Sequence, residues 1–282
     1  MINKIKGAII ISIGGETMLE EIFSWRIEGL GPYGFLHILF IILTIVSSII
    51  LCKISKSHDD KQVVKTVFII GLIFLVLELY KQLFYNTFSD GLKSYNWSMF
   101  PFQLCSTPMY LCLLSIFFKE NIRKSIYSFL AFFGFVAGLT VMIFPETVII
   151  DEVTISIQSL LWHGLQCVLG CYLIKTQNYG ENISEIKHGI FWFIGLLFAA
   201  IVMNYTFEVC KTIYNIDGYF NLFYISPYYE CNVVILKDIW NATNYHFALL
   251  CYIIGVILGT IVIFYSVNLL KKHIFVLKQK EV

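Results

Sequence analysis

Cys105 and His163 are the pair among the eight cysteines and six histidines of this chain whose setting gives them the potential for covalent chemistry. A thiolate is a strong nucleophile, and a neighbouring imidazole can take its proton or hold it as an ion pair. That combination supports acyl transfer through a thioester. A cysteine in an apolar run ordinarily packs as a small hydrophobe, so the thiol has to be singled out by its setting. Cys105 lies in "WSMFPFQLCSTPMY", residues 97–110, between Pro101 and Pro108 and two positions after Gln103. Proline lacks an N–H and clashes with the preceding turn, which frees backbone groups to act as oxyanion donors or to take a side-chain partner. On a regular helix Gln103 and Cys105 point in different directions, so only a disturbed segment aims both at one pocket. On the other side, Ser159, His163 and Gln166 share a helix face by the i, i+4, i+7 pattern, and Gly164 allows close approach of a neighbour.

The elements that must position these residues are membrane helices. The chain has 282 residues, of which 58% are apolar, 17% aromatic and 14% charged, and its mean hydropathy is +0.75. That balance excludes an ordinary soluble domain, and a formal net charge of +1 argues against nucleic acid as a partner. A span needs about 20 apolar residues to cross roughly 30 Å of hydrocarbon. Apolar runs at 33–52, 64–84, 98–118, 125–144, 156–174, 189–209 and 245–268 predict seven transmembrane helices in one integral domain, an all-α polytopic fold covering 1–282. Residues 1–32 read as an interfacial N-terminal segment with a short surface helix over 16–28; the apolar run there is short for a cleaved signal peptide. Cys210 and Cys231 fall at or in the loop after the sixth span, where they could pair.

Charge sets the orientation. Lys53, Lys56, Lys61 and Lys65 follow the first span, Lys119, Arg123 and Lys124 the third, Lys175 and Lys187 the fifth, and Lys271, Lys272, Lys278 and Lys280 end the chain. The 145–155 loop has no basic residue. Positive-inside reasoning therefore places the N-terminus outside and the C-terminus in the cytoplasm of a cell-membrane protein. In that topology His37, Glu78, Lys81, Gln103, Cys105, His163, Asn204 and Glu208 all lie near the extracytoplasmic ends of their helices. Polar groups in lipid are costly unless they share an interior, so matched depth predicts a pocket there. Each has a plainer reading beside it: an i, i+3 ion pair for Glu78 with Lys81, interfacial solvation for His37, an interhelical clasp for Asn204 with Glu208. No HxxxH or CxxC spacing is present, so neither metal nor cofactor is expected.

At these residues the chain resembles the YwaF-type integral membrane proteins of bacteria, whose broader family includes a eukaryotic transmembrane acyltransferase that makes polyunsaturated ether phospholipids. The resemblance runs through "YGFLHIL", "LELYKQ", "FPFQLCSTPMYL", "FGFVAGLTVMIFPET", "LLWHGL", "MNYTFE" and "NLFYISP". It implies seven helices in which Cys105 carries the acyl group and His163 assists, with Asn204 and Asn221 as binding or support positions. Gln103 departs from the pattern, since many bacterial members have a histidine two residues before the cysteine. The expected function is a lipid acyltransferase acting on a phospholipid with a lysophospholipid or other hydroxyl as acceptor. Water as acceptor would make it a lipid hydrolase, and Glu78, Lys81 and Glu208 leave open a solute or proton-coupled transporter.

Overall fold

The computed structural model describes residues 12–13, 16–17, 25–89, 95–230 and 233–280. Helices α1 (Phe35–Ile54), α2 (Asp60–Leu83), α3 (Thr107–Leu114), α4 (Glu120–Ile143), α5 (Val153–Thr176), α6 (Ser184–Tyr214), α7 (Val234–Ala242) and α8 (Tyr245–Lys280) form the bundle. Six of them, α1, α2, α4, α5, α6 and α8, are long and apolar enough to cross a membrane. The described core is helical, and the chain is an integral, multi-pass membrane protein.

Burial orders the bundle. In α5, 67% of the apolar window is buried inside the protein, against 11% in α1 and 17% in α8. Helix α5 is therefore the central post, contacted by α1, α2 and α4, while α1 and α8 turn rows such as Ile42, Ile45 and Ile49, or Ile254, Leu258 and Val262, outward. Lipid is the solvent for such rows, because an apolar ring of this extent is not left in water. Two glycines let the post be approached closely. A Cβ on Gly164 would sit 2.5 Å from Thr44 Oγ1 of α1, and one on Gly138 of α4 would sit 2.7 Å from the His163 carbonyl oxygen. Behind them Phe129, Phe133 and Phe193 stack between α4 and α6 as a buried aromatic layer.

Helix α2 starts at Asp60 because Asp59 and Gln62 close a capping box: the Gln62 N–H donates to Asp59 and the Asp59 N–H to the Gln62 side chain, both at 2.8 Å. It ends in a π turn, Phe84–Ser89. A second π turn, Leu130–Gly134, interrupts α4.

The expected third helix over 98–118 is corrected. Only Thr107–Leu114 is α-helical, followed by a 3-10 turn over Ser115–Phe117; residues 100–106 are irregular, with Pro108 in the first turn of α3. Pro101 supplies no N–H and fixes its own φ, so the helix starts only after the second proline can occupy a first-turn position. The segment nevertheless runs antiparallel along the whole of α2. Met99 meets Gln82 near the end of α2, and Arg123, beyond the other end of the segment, reaches Asp60 at the start of α2.

Of the expected surface helix over 16–28, only the two ends are among the described residues, and neither is helical. Glu16–Thr17 pairs with Ser12–Ile13 in an extended ladder, residues 18–24 lie outside the described residues, and Trp25–Glu28 is non-helical. Its backbone groups go instead to the loop before α5: Ile27 N–H donates to Asp151 O, and Val153 N–H donates to Trp25 O, each at 3.0 Å. The latter satisfies one of the orphan donors at the start of α5. Cys231, read with Cys210 as a possible pair, lies outside the described residues.

Candidate active site

The end of the bundle where α2 finishes and α5 begins holds a cavity of about 170 Å³. Lys81 and Tyr85 line it from α2 and its π turn, Ser98, Met99, Phe100, Gln103, Cys105 and Ser106 from the segment before α3, Thr147 and Val148 from the α4–α5 loop, and Gln158, Ser159, Trp162 and His163 from α5. Tyr224 closes it from the loop after α6.

Cys105 sits in the turn directly before α3, where Ser106 and Thr107 N–H groups both donate to the Gln103 carbonyl. Its own carbonyl is pinned from α5. Trp162 Nε1 donates to Cys105 O at 2.9 Å, and Gln166 Nε2 donates to the same oxygen. Two donors on one carbonyl fix the Cys105 backbone against the helix turn that presents His163 to the same cavity.

His163 is buried, with its Nδ1 2.7 Å from the Ser159 carbonyl. A carbonyl oxygen only accepts, so Nδ1 carries the proton, and in the neutral imidazole Nε2 is left as the acceptor. That is the tautomer a general base requires. The expected common face of Ser159, His163 and Gln166 thus resolves into three tasks: a carbonyl that sets the tautomer, the imidazole, and an amide that holds the thiol-bearing turn.

Glu78 and Lys81 form an ion pair at 2.9 Å. Glu78 Oε1 also accepts from Gln82 Nε2 at 2.7 Å, and the same amide nitrogen donates to Met99 O at 2.7 Å, tying α2 to the irregular segment. Of the pair, Lys81 lines the cavity and Glu78 stands behind it.

Gln103 lines the cavity but its amide is occupied: Nε2 donates to Asn221 O at 2.9 Å and Oε1 accepts from Phe223 N–H at 2.7 Å. Asn204 grips the same loop, accepting from Leu222 N–H at 2.9 Å and donating to Leu222 O at 3.1 Å, and Asn221 Oδ1 accepts from Ser226 N–H at 2.8 Å. Phe223 and Tyr224 both hold left-handed backbone, φ 57° and 58°. Such residues cost roughly 1–2 kcal/mol each, and the three amides over-determine the loop that carries them.

The remaining residues singled out in the sequence lie elsewhere. His37 is buried between α1 and α4, accepting from Tyr33 N–H at Nδ1 (3.1 Å) and donating from Nε2 to Met142 O (3.0 Å). Glu208 accepts from Tyr229, which in turn accepts from Lys211. Neither lines the cavity. Trp162 and Tyr224 are site residues that sequence reasoning passed over. Trp162 stands beside His163 in "LLWHGL", and an indole N–H inside a span must find an acceptor, which was a usable signal. Tyr224 lies in "NLFYISP", one of the blocks that carry the resemblance, but its residue type alone did not mark it among the tyrosines. Among the described residues no three His, Cys, Asp or Glu side chains converge on a shared metal position.

Fold and site together define a multi-pass helical membrane protein with a polar, thiol-bearing cavity at one end of its bundle. Residues 32–265 match the TMEM164 family, a transmembrane protein family, and the chain belongs to it. No curated protein and no solved structure matches the chain.

Proposed function

We propose that this protein is a membrane-embedded lipid acyltransferase working through a thioester on Cys105 with His163 as the base. The observation that carries the reading is that one cavity is lined by both side chains, with the imidazole in the tautomer that leaves Nε2 able to accept a proton. His163 Nε2 takes the thiol proton as Sγ bonds to the acyl carbonyl carbon of a phospholipid ester. The carbon–oxygen bond breaks, and the departing lysolipid oxygen takes that proton back. An acceptor hydroxyl, of a lysophospholipid in this reading, then gives its proton to Nε2 and attacks the thioester, and the thiol is restored. The likeness to YwaF-type proteins, carried by "FPFQLCSTPMYL" and "LLWHGL", supports the same assignment.

The proposed setting is the cell membrane, with seven crossings, the N-terminus outside and the C-terminus cytoplasmic. Basic residues on alternate connectors support this orientation. The antiparallel run of the 97–118 segment along α2 supports counting it as a crossing despite its short helix. The cavity then opens at the outer leaflet.

Purified protein in phospholipid micelles carrying a radiolabelled acyl chain tests the reading. Hydroxylamine-sensitive label is expected on wild type and absent from Cys105→Ser and His163→Ala; label that survives Cys105→Ala rules out the thioester. Free fatty acid appearing in place of a transferred chain assigns water as the acceptor.

A further inference from the structure

The cavity wall is electrically one-sided. Among the described residues it carries one ammonium, Lys81, and no carboxylate. Glu78, the counter-ion, is only 5% exposed and does not reach the wall, and its Oε1 is shared between Lys81 and the Gln82 amide. The ion pair occupies one of the three Lys81 N–H donors, and the 19% of that side chain left exposed belongs to a cavity-lining residue. Hydroxyl-bearing Tyr85, Ser98 and Thr147 share the wall, and α3 begins, positive end first, at Thr107, two residues past Cys105. An ammonium with spare donors in a carboxylate-free cavity is matched by an anion with several acceptor oxygens, and a cationic group would be repelled from the same place. The size agrees: about 170 Å³ has room for a phosphate-sized polar group.

We propose that Lys81 is an anion anchor that takes the phosphate of the acyl donor and so sets its ester over Cys105, with Glu78 as the positioning residue that holds the ammonium. This rests on the acyl-transfer reading above. The shared ligand chemistry is a phosphate oxygen anion, from a lipid headgroup or from free phosphate.

Full-length protein is offered dioleoyl phosphatidylcholine or dioleoylglycerol at equal mole fraction in mixed micelles, and acylation of Cys105 is timed. Wild type is expected to favour the phosphate-bearing donor by about tenfold or more, as losing a charge-assisted hydrogen bond implies. Lys81→Met should bring the ratio of the two donors near one, Lys81→Arg should retain it, and Glu78→Gln should fall between them. Where Lys81→Met leaves Glu78 unpaired and unfolds the protein, Glu78→Gln with Lys81→Met removes both charges and is read instead. A wild-type ratio near one, or equal loss on both donors, overturns the proposal. Inorganic phosphate that competes with the lipid in wild type but not in Lys81→Met assigns the anchor to phosphate from either source; no competition assigns it to the headgroup. Should Cys105 be acylated by neither lipid, the acyl-transfer reading fails, and lipid retention by native mass spectrometry still decides the anchor. Retention of phosphatidylcholine lost on Lys81→Met upholds it, and unchanged retention sinks it.

Discussion

Trp162 Nε1 donates to the carbonyl oxygen of Cys105 across 2.9 Å, joining the central helix to the one turn of the protein that carries the candidate nucleophile. The imidazole of the next residue, His163, faces the same cavity. Thiol and imidazole are thus referenced to a common helix turn, although 58 positions separate them in sequence (163 less 105).

Trp162→Phe keeps the ring and deletes the donor. Because Gln166 still holds the Cys105 carbonyl, the variant should fold, losing about 1 kcal/mol. Thermal unfolding in detergent reads that cost. Acylation of Cys105 should drop several-fold in the same preparation, and Trp162→Phe with Gln166→Leu should lose far more than either alone. Strict additivity would mean that the two donors do not act on one carbonyl.

Gly164 predicts a rescue. Its added Cβ would lie 2.5 Å from Thr44 Oγ1, while the Thr44 Cβ stays at 3.7 Å. Gly164→Ala should therefore destabilise the bundle by roughly 1–3 kcal/mol, and Thr44→Ala in the same chain should recover most of it. Unfolding midpoints of the two single variants and the double variant settle whether α1 and α5 meet here.

Gln103 ties the site to the loop after α6. In Gln103→Leu the Phe223 N–H and Asn221 carbonyl lose their partner, at about 1–3 kcal/mol for each group left buried and unpaired. Hydrogen exchange should rise over residues 219–226 ahead of the helices. Gln103→His, which restores the commoner residue of the resembled family, should recover part of this protection. Unchanged exchange in Gln103→Leu would show that Asn204 and Asn221 hold the loop alone.

Orientation is open to chemical labelling. A membrane-impermeant maleimide should react with Glu146→Cys in intact cells, and with Lys272→Cys only after permeabilisation, in a background lacking other reactive thiols. The reverse pattern would invert the topology and move the cavity to the inner leaflet.

Much of this fold is legible in one dimension. Six of the predicted spans coincide with long helices, because an apolar run of that length has few other ways to satisfy its backbone in lipid. The third differs for a local reason: Pro101 and Pro108 decide where a helix can begin, and hydropathy does not register the missing N–H. The end of the N-terminal stretch, Trp25–Glu28, is non-helical for a non-local one, since Trp25 and Ile27 find their partners in Val153 and Asp151 at the start of α5.

What the sequence determined by itself is a membrane bundle with a proline-broken segment around a thiol and a histidine in the fifth predicted span. Those are matters of composition, periodicity and local sterics. Tertiary structure alone decided which polar groups share a cavity. Lys81, Gln103, Cys105 and His163 line it; Glu78 backs it; Asn204 and Asn221 grip the adjoining loop; His37 and Glu208 find partners elsewhere. Depth along a helix follows from counting residues, but the direction a side chain faces depends on how helices rotate and pack against one another. That rotation is set by contacts such as Gly164 on Thr44 and Gly138 on the His163 carbonyl, which join residues far apart in the chain.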